Sequence, residues 1–168
     1  ISKTEFSKIL RSSKEAIKEL FKFRNTEGAI IEHDMITRIN KIVQLTKSIE
    51  SMEEGRVNKV RNRIKEQLSQ LKSGINYDKD RFEQELVYYL DKMDITEEKV
   101  RLRAHCEYFI KTAHGSRSHG KKLGFIAQEI GREINTLGAK ANDAGMQKNI
   151  VEAKEELEKI KEQLFNVL

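Results

Sequence analysis

Two glutamates four residues apart, Glu129 and Glu133, open a run in which Arg132, Thr136 and Lys140 follow at helical spacing. At 100° per residue, these five side chains fall within about 100° of one another on a helix. Carboxylates at i and i+4 can approach a common divalent ion such as Mn2+ or Mg2+, and Arg132 and Lys140 could hold a phosphate beside it. The same carboxylates repel by a few tenths of a kcal/mol when nothing stands between them, and an arginine partner would relieve that without any metal. His105 is the third group of interest. An imidazole with a pKa near neutrality can accept or deliver a proton in phosphodiester chemistry. It shares a helix edge with Glu97, Glu98 and Arg101, and a purely structural histidine is the competing reading.

Charge is concentrated around these groups. The 168-residue chain carries a net charge of +5 at pH 7, with a pI near 9.2. Residues 101–140 hold eight basic residues (Arg101, Arg103, Lys111, Arg117, Lys121, Lys122, Arg132, Lys140) against three acidic ones (Glu107, Glu129, Glu133). This window therefore carries the whole excess, and it also holds His105, His114 and His119. A polyanion is drawn here first, although a solvated cationic face has the same composition. Aromatic residues make up 7% of the chain and tryptophan is absent. That argues against extensive base stacking and for recognition of backbone or shape.

The window contains a near match to a nucleotide-binding loop, GSRSHGK at residues 115–121. Lys122 stands where a serine or threonine should hold magnesium, and a helix rather than a strand precedes the loop, so nucleotide hydrolysis is excluded. Phosphate attraction survives, because glycine amides sit beside Arg117, Lys121 and Lys122 at a helix start.

Helices must position these groups. Proline is absent, and proline is the residue that costs about 3 kcal/mol in a helix interior. Phe6, Leu10, Ile17, Leu20 and Phe21 mark an amphipathic helix over residues 3–24, with Gly28 as its expected bend or interruption. Ile31, Met35, Ile39, Ile42, Leu45 and Ile49 continue the pattern, and Val57, Val60, Ile64, Leu68 and Leu71 add another stripe. These predict two antiparallel helices, a hairpin occupying residues 1–75. SGINYDKD, residues 73–80, lacks periodicity and marks a domain junction. In the second region, 80–168, a short helix runs from Phe82 to Met93, and Asp94 caps a helix from Ile95 with Glu97 and Glu98 in its first turn. A linker, HGSRSHGKK, spans 114–122, and helices follow at about 121–140 and 144–167. The expected class is all-α: long antiparallel helices, a helical hairpin followed by a helical C-terminal domain.

No run of 18 apolar residues and no basic-then-apolar leader is present, so a cytoplasmic protein without membrane association is expected. Starting at Ile1 rather than Met, the chain reads as a fragment. Cys106 is the sole cysteine and falls with Leu102, Phe109 and Ala113 at helical spacing, which predicts a small buried hydrophobe rather than a catalytic thiol. Gly124, Gly131, Gly138 and Gly145 recur every seven residues. Each costs a helix about 1 kcal/mol against alanine, a cost that close packing of a neighbouring helix, a second subunit or an RNA backbone would explain. Breaks at Gly138 and Gly145 are the alternative.

Several long segments resemble one family. GKKLGFIAQEIGREINTLGAKANDA (residues 120–144), QELVYYLDKMDITEEKVRLRAH (84–105) and the EQL-x-N ending (162–166) are similar, in order, to the C-terminal domain of the YicC family. RNTEGAIIEHDM (24–35) matches the preceding region more loosely. The resemblance implies a cytoplasmic endoribonuclease acting on RNA, assembled as a ring-like homo-oligomer of six, with a strand-containing amino-terminal portion not present in this sequence. Gly124, Gly131 and Ala139 depart from the family pattern of Asp, Asn and Ser, so no catalytic role passes to them. Taken with the stripe and the basic window, the expected catalytic set is His105, Glu129, Arg132 and Glu133. Glu129 and Glu133 are the candidate metal ligands, and no organic cofactor is expected. Arg101, Arg103, Arg117, Lys121, Lys122, Lys140 and Asn142 are the expected RNA contacts. A non-catalytic RNA-binding scaffold and a helical oligomerisation module are the other readings.

Overall fold

The structure, a computed structural model, describes residues 2–70, 79–115 and 119–167. Among the described residues five helices follow in order: α1 Lys3–Gln70, α2 Lys79–Met93, α3 Thr96–Ala113, α4 Gly120–Lys140 and α5 Ala144–Val167. No strand occurs among the described residues, so the all-α expectation holds.

The expected hairpin does not form. Residues 3–70 make one helix of 68 residues, about 100 Å long at 1.5 Å per residue. Gly28 lies inside it with nothing within 4 Å of where a side chain would start. One glycine costs only about 1 kcal/mol, and with no proline or cluster of turn formers nothing forces reversal. Ser2 and Glu5 begin the helix as a capping box: the Ser2 amide donates to Glu5 Oε2 at 2.8 Å and the Glu5 amide to Ser2 Oγ at 3.3 Å. The junction expected at 73–80 lies outside the described residues apart from Lys79 and Asp80, which already belong to α2.

Four helices form an antiparallel bundle. Arg38 Nη1 meets Glu156 Oε2 at 2.8 Å and Asn149 Nδ2 donates to Ser48 Oγ at 3.0 Å, so α1 and α5 run in opposite directions. Glu50 with Arg103, and Glu32 with His114, fix α3 antiparallel to α1. The short connections from α3 to α4 and from α4 to α5 make those pairs antiparallel too. The core takes Met35, Ile39, Ile42 and Ile49 from α1, Leu102, Cys106 and Phe109 from α3, Ile126, Ile130, Ile134 and Leu137 from α4, and Met146, Ile150, Leu157 and Ile160 from α5. One core thus draws on both expected regions. Cys106 is fully buried, and desolvation, with a small contribution from Glu107, pushes its thiol up to about 12. No helix among the described residues is long and apolar enough to cross a membrane.

The glycine spacing has its explanation in the α4–α5 seam. A methyl at Gly131 would lie 3.1 Å from Leu157 Cδ2, and one at Gly138 would lie 3.3 Å from Ile150 Cγ2. Both positions stay helical, so the seven-residue spacing marks close approach rather than breaks at these two sites. Gly124 has nothing within 4 Å and belongs to a different feature. Asp143 ends the connection: its Oδ1 accepts from the amides of Gly145 and Met146 at 2.8 and 3.1 Å and caps α5.

Candidate functional site

The α4 stripe is split by the bundle. Leu123, Ile130, Ile134 and Leu137 are buried as their phase requires, but so is Glu133, at 5% exposure. Glu129 is half-exposed and accepts from Arg132 Nη1 at 3.2 Å, while Arg132 itself stands out in solvent. Lys140, at the other end of the stripe, crosses to α3, where its Nζ lies 2.8 Å from Oε1 of the buried Glu98. The edge expected to face water therefore lies partly in the α3–α4 seam. Helical phase places Glu133 between Lys140 and Ile126, on the side of α4 that α3 covers. No hydrogen bond or ion pair engages Glu133 among the described residues, and neither of its carboxylate oxygens is sealed from solvent, so water serves them at the edge of the seam. Glu98 differs: one of its oxygens has the lysine, while its Oε2 is buried without a partner.

His105 is half-buried on the edge of α3 that carries Glu98. The antiparallel register, set by Glu98 with Lys140 and by Lys122 over the Tyr108 ring at 4.8 Å, brings His105 level with the turn holding Glu129 and Glu133. The three candidate acid–base groups thus share one side of the α3–α4 hairpin, with no hydrogen bond joining the imidazole to either carboxylate. No group of three or more His, Cys, Asp or Glu side chains gathers closely enough to hold a metal among the described residues. Glu129 and Glu133 offer two carboxylates, the number that a magnesium-type ion takes from a protein when substrate phosphate and water complete its shell.

The expected RNA contacts divide sharply. Arg103 pairs with Glu50 of α1, and its buried Nε is unpartnered. Lys140 is committed to Glu98, and Lys99 is likewise drawn to Glu53 and Glu50. These cations tie helices together. Arg101 pairs with Glu97 one turn earlier, and both are largely exposed. Lys121 and Lys122 enter no ion pair among the described residues and sit in the first turn of α4, which has no acidic residue and no side-chain cap at His119. That helix start presents its free amides and two ammonium groups together. Asn142 is exposed in the α4–α5 connection. Arg117 lies outside the described residues. His114 Nδ1 meets Glu32 Oε1 at 2.8 Å, which occupies one of the two remaining window histidines.

Sequence reasoning missed two features. Phe125 is 70% exposed on α4 and Phe165 is 81% exposed on α5, and both line a groove of about 440 Å³ with Lys121, Gln128 and Lys161. Phase could have found Phe125, which points away from the Leu123–Ile130–Leu137 stripe. The second is Arg56, buried at 4%, which donates to the Met93 carbonyl at 2.7 Å and so closes the C-terminal end of α2.

Comparison with known proteins gives these residues a family. The sequence model described as "Endoribonuclease YicC-like, C-terminal" matches residues 49–168. A protein of Clostridioides difficile (strain 630) named "Probable endoribonuclease YicC" is 32% identical over 163 residues, covering 96% of this chain and 56% of that protein. The protein of the same name from Haemophilus influenzae (strain ATCC 51907 / DSM 11121 / KW20 / Rd) is 26% identical over 159 residues, covering 95% of this chain and 55% of its own length. The chain thus spans a little over half the length of these curated relatives. With most of its length matched by the family's C-terminal model and carrying the α3–α4 residues described above, this chain belongs to the YicC family.

Proposed function

We propose that this chain is the helical part of an endoribonuclease and that the α3–α4 hairpin carries its reacting groups. The observation behind this reading is the place of Glu133, drawn into the α3–α4 seam at 5% exposure, level with His105 and one turn from Glu129. Two carboxylates and an imidazole gathered on one side of a hairpin are the groups that general acid–base chemistry on a phosphodiester needs. His105 serves as the proton acceptor for the attacking hydroxyl or the donor to the leaving oxygen. Arg132, free of the seam, steadies the phosphate. Glu129 and Glu133 would hold a Mn2+ or Mg2+ ion, which would offset negative charge on the phosphodiester. Lys121, Lys122, Arg101 and Asn142 contact the RNA backbone, whereas Arg103 and Lys140 position the hairpin. The family names of the relatives, both printed as endoribonucleases, agree with this reading. Assembly as a cytoplasmic homo-oligomer, a ring of six by family resemblance, is part of the same proposal.

The test is cleavage of a structured RNA with and without manganese or magnesium, comparing the chain with His105→Ala and with the double variant Glu129→Gln, Glu133→Gln. Loss of a general acid–base group or the carboxylate pair lowers the rate by about 100-fold or more. Equal cleavage by all three proteins would remove the site. Ends bearing a 2′,3′-cyclic phosphate assign the chemistry to His105, and 5′-phosphate ends with EDTA sensitivity assign it to the carboxylates. Salt-sensitive binding with no cleavage by any of them leaves an RNA-holding scaffold instead.

A further inference from the structure

A groove between α4 and α5 combines exposed rings with cations. Its walls are Phe125 and Phe165, its rim is Lys121, Gln128 and Lys161, and Leu164 closes one side. Gly124 leaves the wall beside Phe125 open, with nothing within 4 Å of its missing side chain. Along α4, Lys121, Phe125, Gln128 and Arg132 recur at i, i+4, i+7 and i+11, so a cation, an aromatic ring, an amide and a second cation form one exposed row. No acidic side chain lines the groove, and Lys121 is in no ion pair among the described residues. Lys161 is tethered to Glu158 at 2.7 Å, and its side chain is 34% exposed. The volume of about 440 Å³ falls inside the roughly 300–1,000 Å³ of ordinary small-ligand clefts.

We propose that this groove seats one unstacked base of an RNA strand between Phe125 and Phe165, with Lys121 and Lys161 on the flanking phosphates. The inference rests on the RNA reading above and adds a site to it. Flat π faces accept any base, the Gln128 amide can bond a base edge as donor and acceptor, and ammonium groups complement phosphate. A duplex offers no free base face, so the groove selects single-stranded or bulged RNA. Lys121 connects it to the cationic start of α4, so one strand can run from the helix start into the groove. The low aromatic content still holds against extensive stacking; one base is seated here, not a series.

The chain has no tryptophan, so Phe125→Trp places a single reporter in the groove. A short oligoadenylate strand should quench its fluorescence, and a blunt RNA duplex of equal length should bind without quenching. Phe125→Ala and Phe165→Ala should each weaken fluorescein-labelled oligoadenylate about tenfold by anisotropy while leaving duplex binding and the thermal midpoint unchanged. If oligoadenylate binds and Lys121→Gln with Lys122→Gln weakens it but both alanine variants bind as the parent does, the groove proposal fails and the RNA reading stands. If neither RNA form binds the parent chain, both fail together. If the alanine variants instead change the chain's size in sedimentation without RNA, the groove is a contact between copies and the base site is overturned.

Discussion

The two halves of α1 carry the same stripe and meet opposite fates. Met35, Ile39, Ile42 and Ile49 are buried, with Ile39 and Ile42 at 0% exposure. Phe6, Leu10, Ile17 and Phe21 continue the same face one turn after another, yet they stand 45–61% exposed. The cause is where the partner helix stops. Arg38 meets Glu156 and Ser48 meets Asn149 in antiparallel register, so Val167, the last residue of α5, comes level with about residue 27. Toward the start of α1 from there, no described helix lies alongside. Periodicity states which face of a helix can be covered; it carries no information about what covers it. The homo-oligomer proposed above would supply that cover from a second copy.

This contrast can be broken most directly by truncating one side chain in each half. Ile42→Ala opens a cavity in a site with 0% exposure and should lower unfolding stability by about 3 kcal/mol. Ile17→Ala removes a larger fraction of exposed surface than of contact and should change stability by less than about 0.5 kcal/mol. Urea unfolding followed by circular dichroism checks both. A comparable loss at Ile17 under monomeric conditions would mean that the exposed half is covered after all.

Seam and groove sharpen the same point on α4. Gly131→Leu must push Leu157, whose Cδ2 already lies 3.1 Å from the first added carbon, and should cost about 1–3 kcal/mol by overpacking. The first carbon added in Gly124→Leu meets nothing within 4 Å, and Glu107→Leu lies on an exposed part of α3, so both should fold as the parent does. Thermal melts and sizing of the three variants separate packing from composition. Equal, negligible shifts would remove the close-packing account of the glycines.

What could be read from the sequence follows from the range of each signal. The absence of proline and the 3.6-residue periods are local, and they yielded the all-α class and the ends of α4 and α5 to within a residue or so. Cys106 was legible because its neighbours at helical spacing, Leu102 and Phe109, are core residues and Ala113 packs against them. The unbroken length of α1 was not, because a glycine such as Gly28 carries a penalty of only about 1 kcal/mol, which a long helix absorbs when no tertiary contact rewards a turn. The burial of Glu133 and the capture of Arg103 and Lys140 were invisible for another reason. Phase on one helix fixes which side chains share an edge, while the neighbour that crosses that edge is a tertiary fact. Phe125 leaves no mark on a count of aromatic residues, and its exposure is carried by its helical phase opposite the buried stripe.

The smallest effects compare two helix starts held by the same chemistry. Asp94 Oδ1 accepts from the Thr96 hydroxyl at 2.7 Å and its amide at 2.9 Å, and these hydrogen bonds hold the Asp94 carboxyl below its ordinary range. Glu5 is held low in the same way, by the Ser2 amide and then the Ser2 hydroxyl. A lowered carboxyl contributes stability that is present above the unfolded pKa, about 4, and is lost as pH falls through the lower folded value. Asp94 turns the chain into α3 one residue before its N-cap, Ile95, so Asp94→Ala should cost about 1 kcal/mol at pH 7 through the lost hydrogen bonds, and the cost should shrink as pH falls below about 4. Glu5 begins the uncovered half of α1, which can fray without disturbing the core. Glu5→Ala should therefore leave the urea midpoint unchanged at every pH while raising hydrogen exchange in the first turns of α1. A midpoint shift for Glu5→Ala as large as that for Asp94→Ala would show the two halves of α1 to be one cooperative unit, and would overturn the contrast between them.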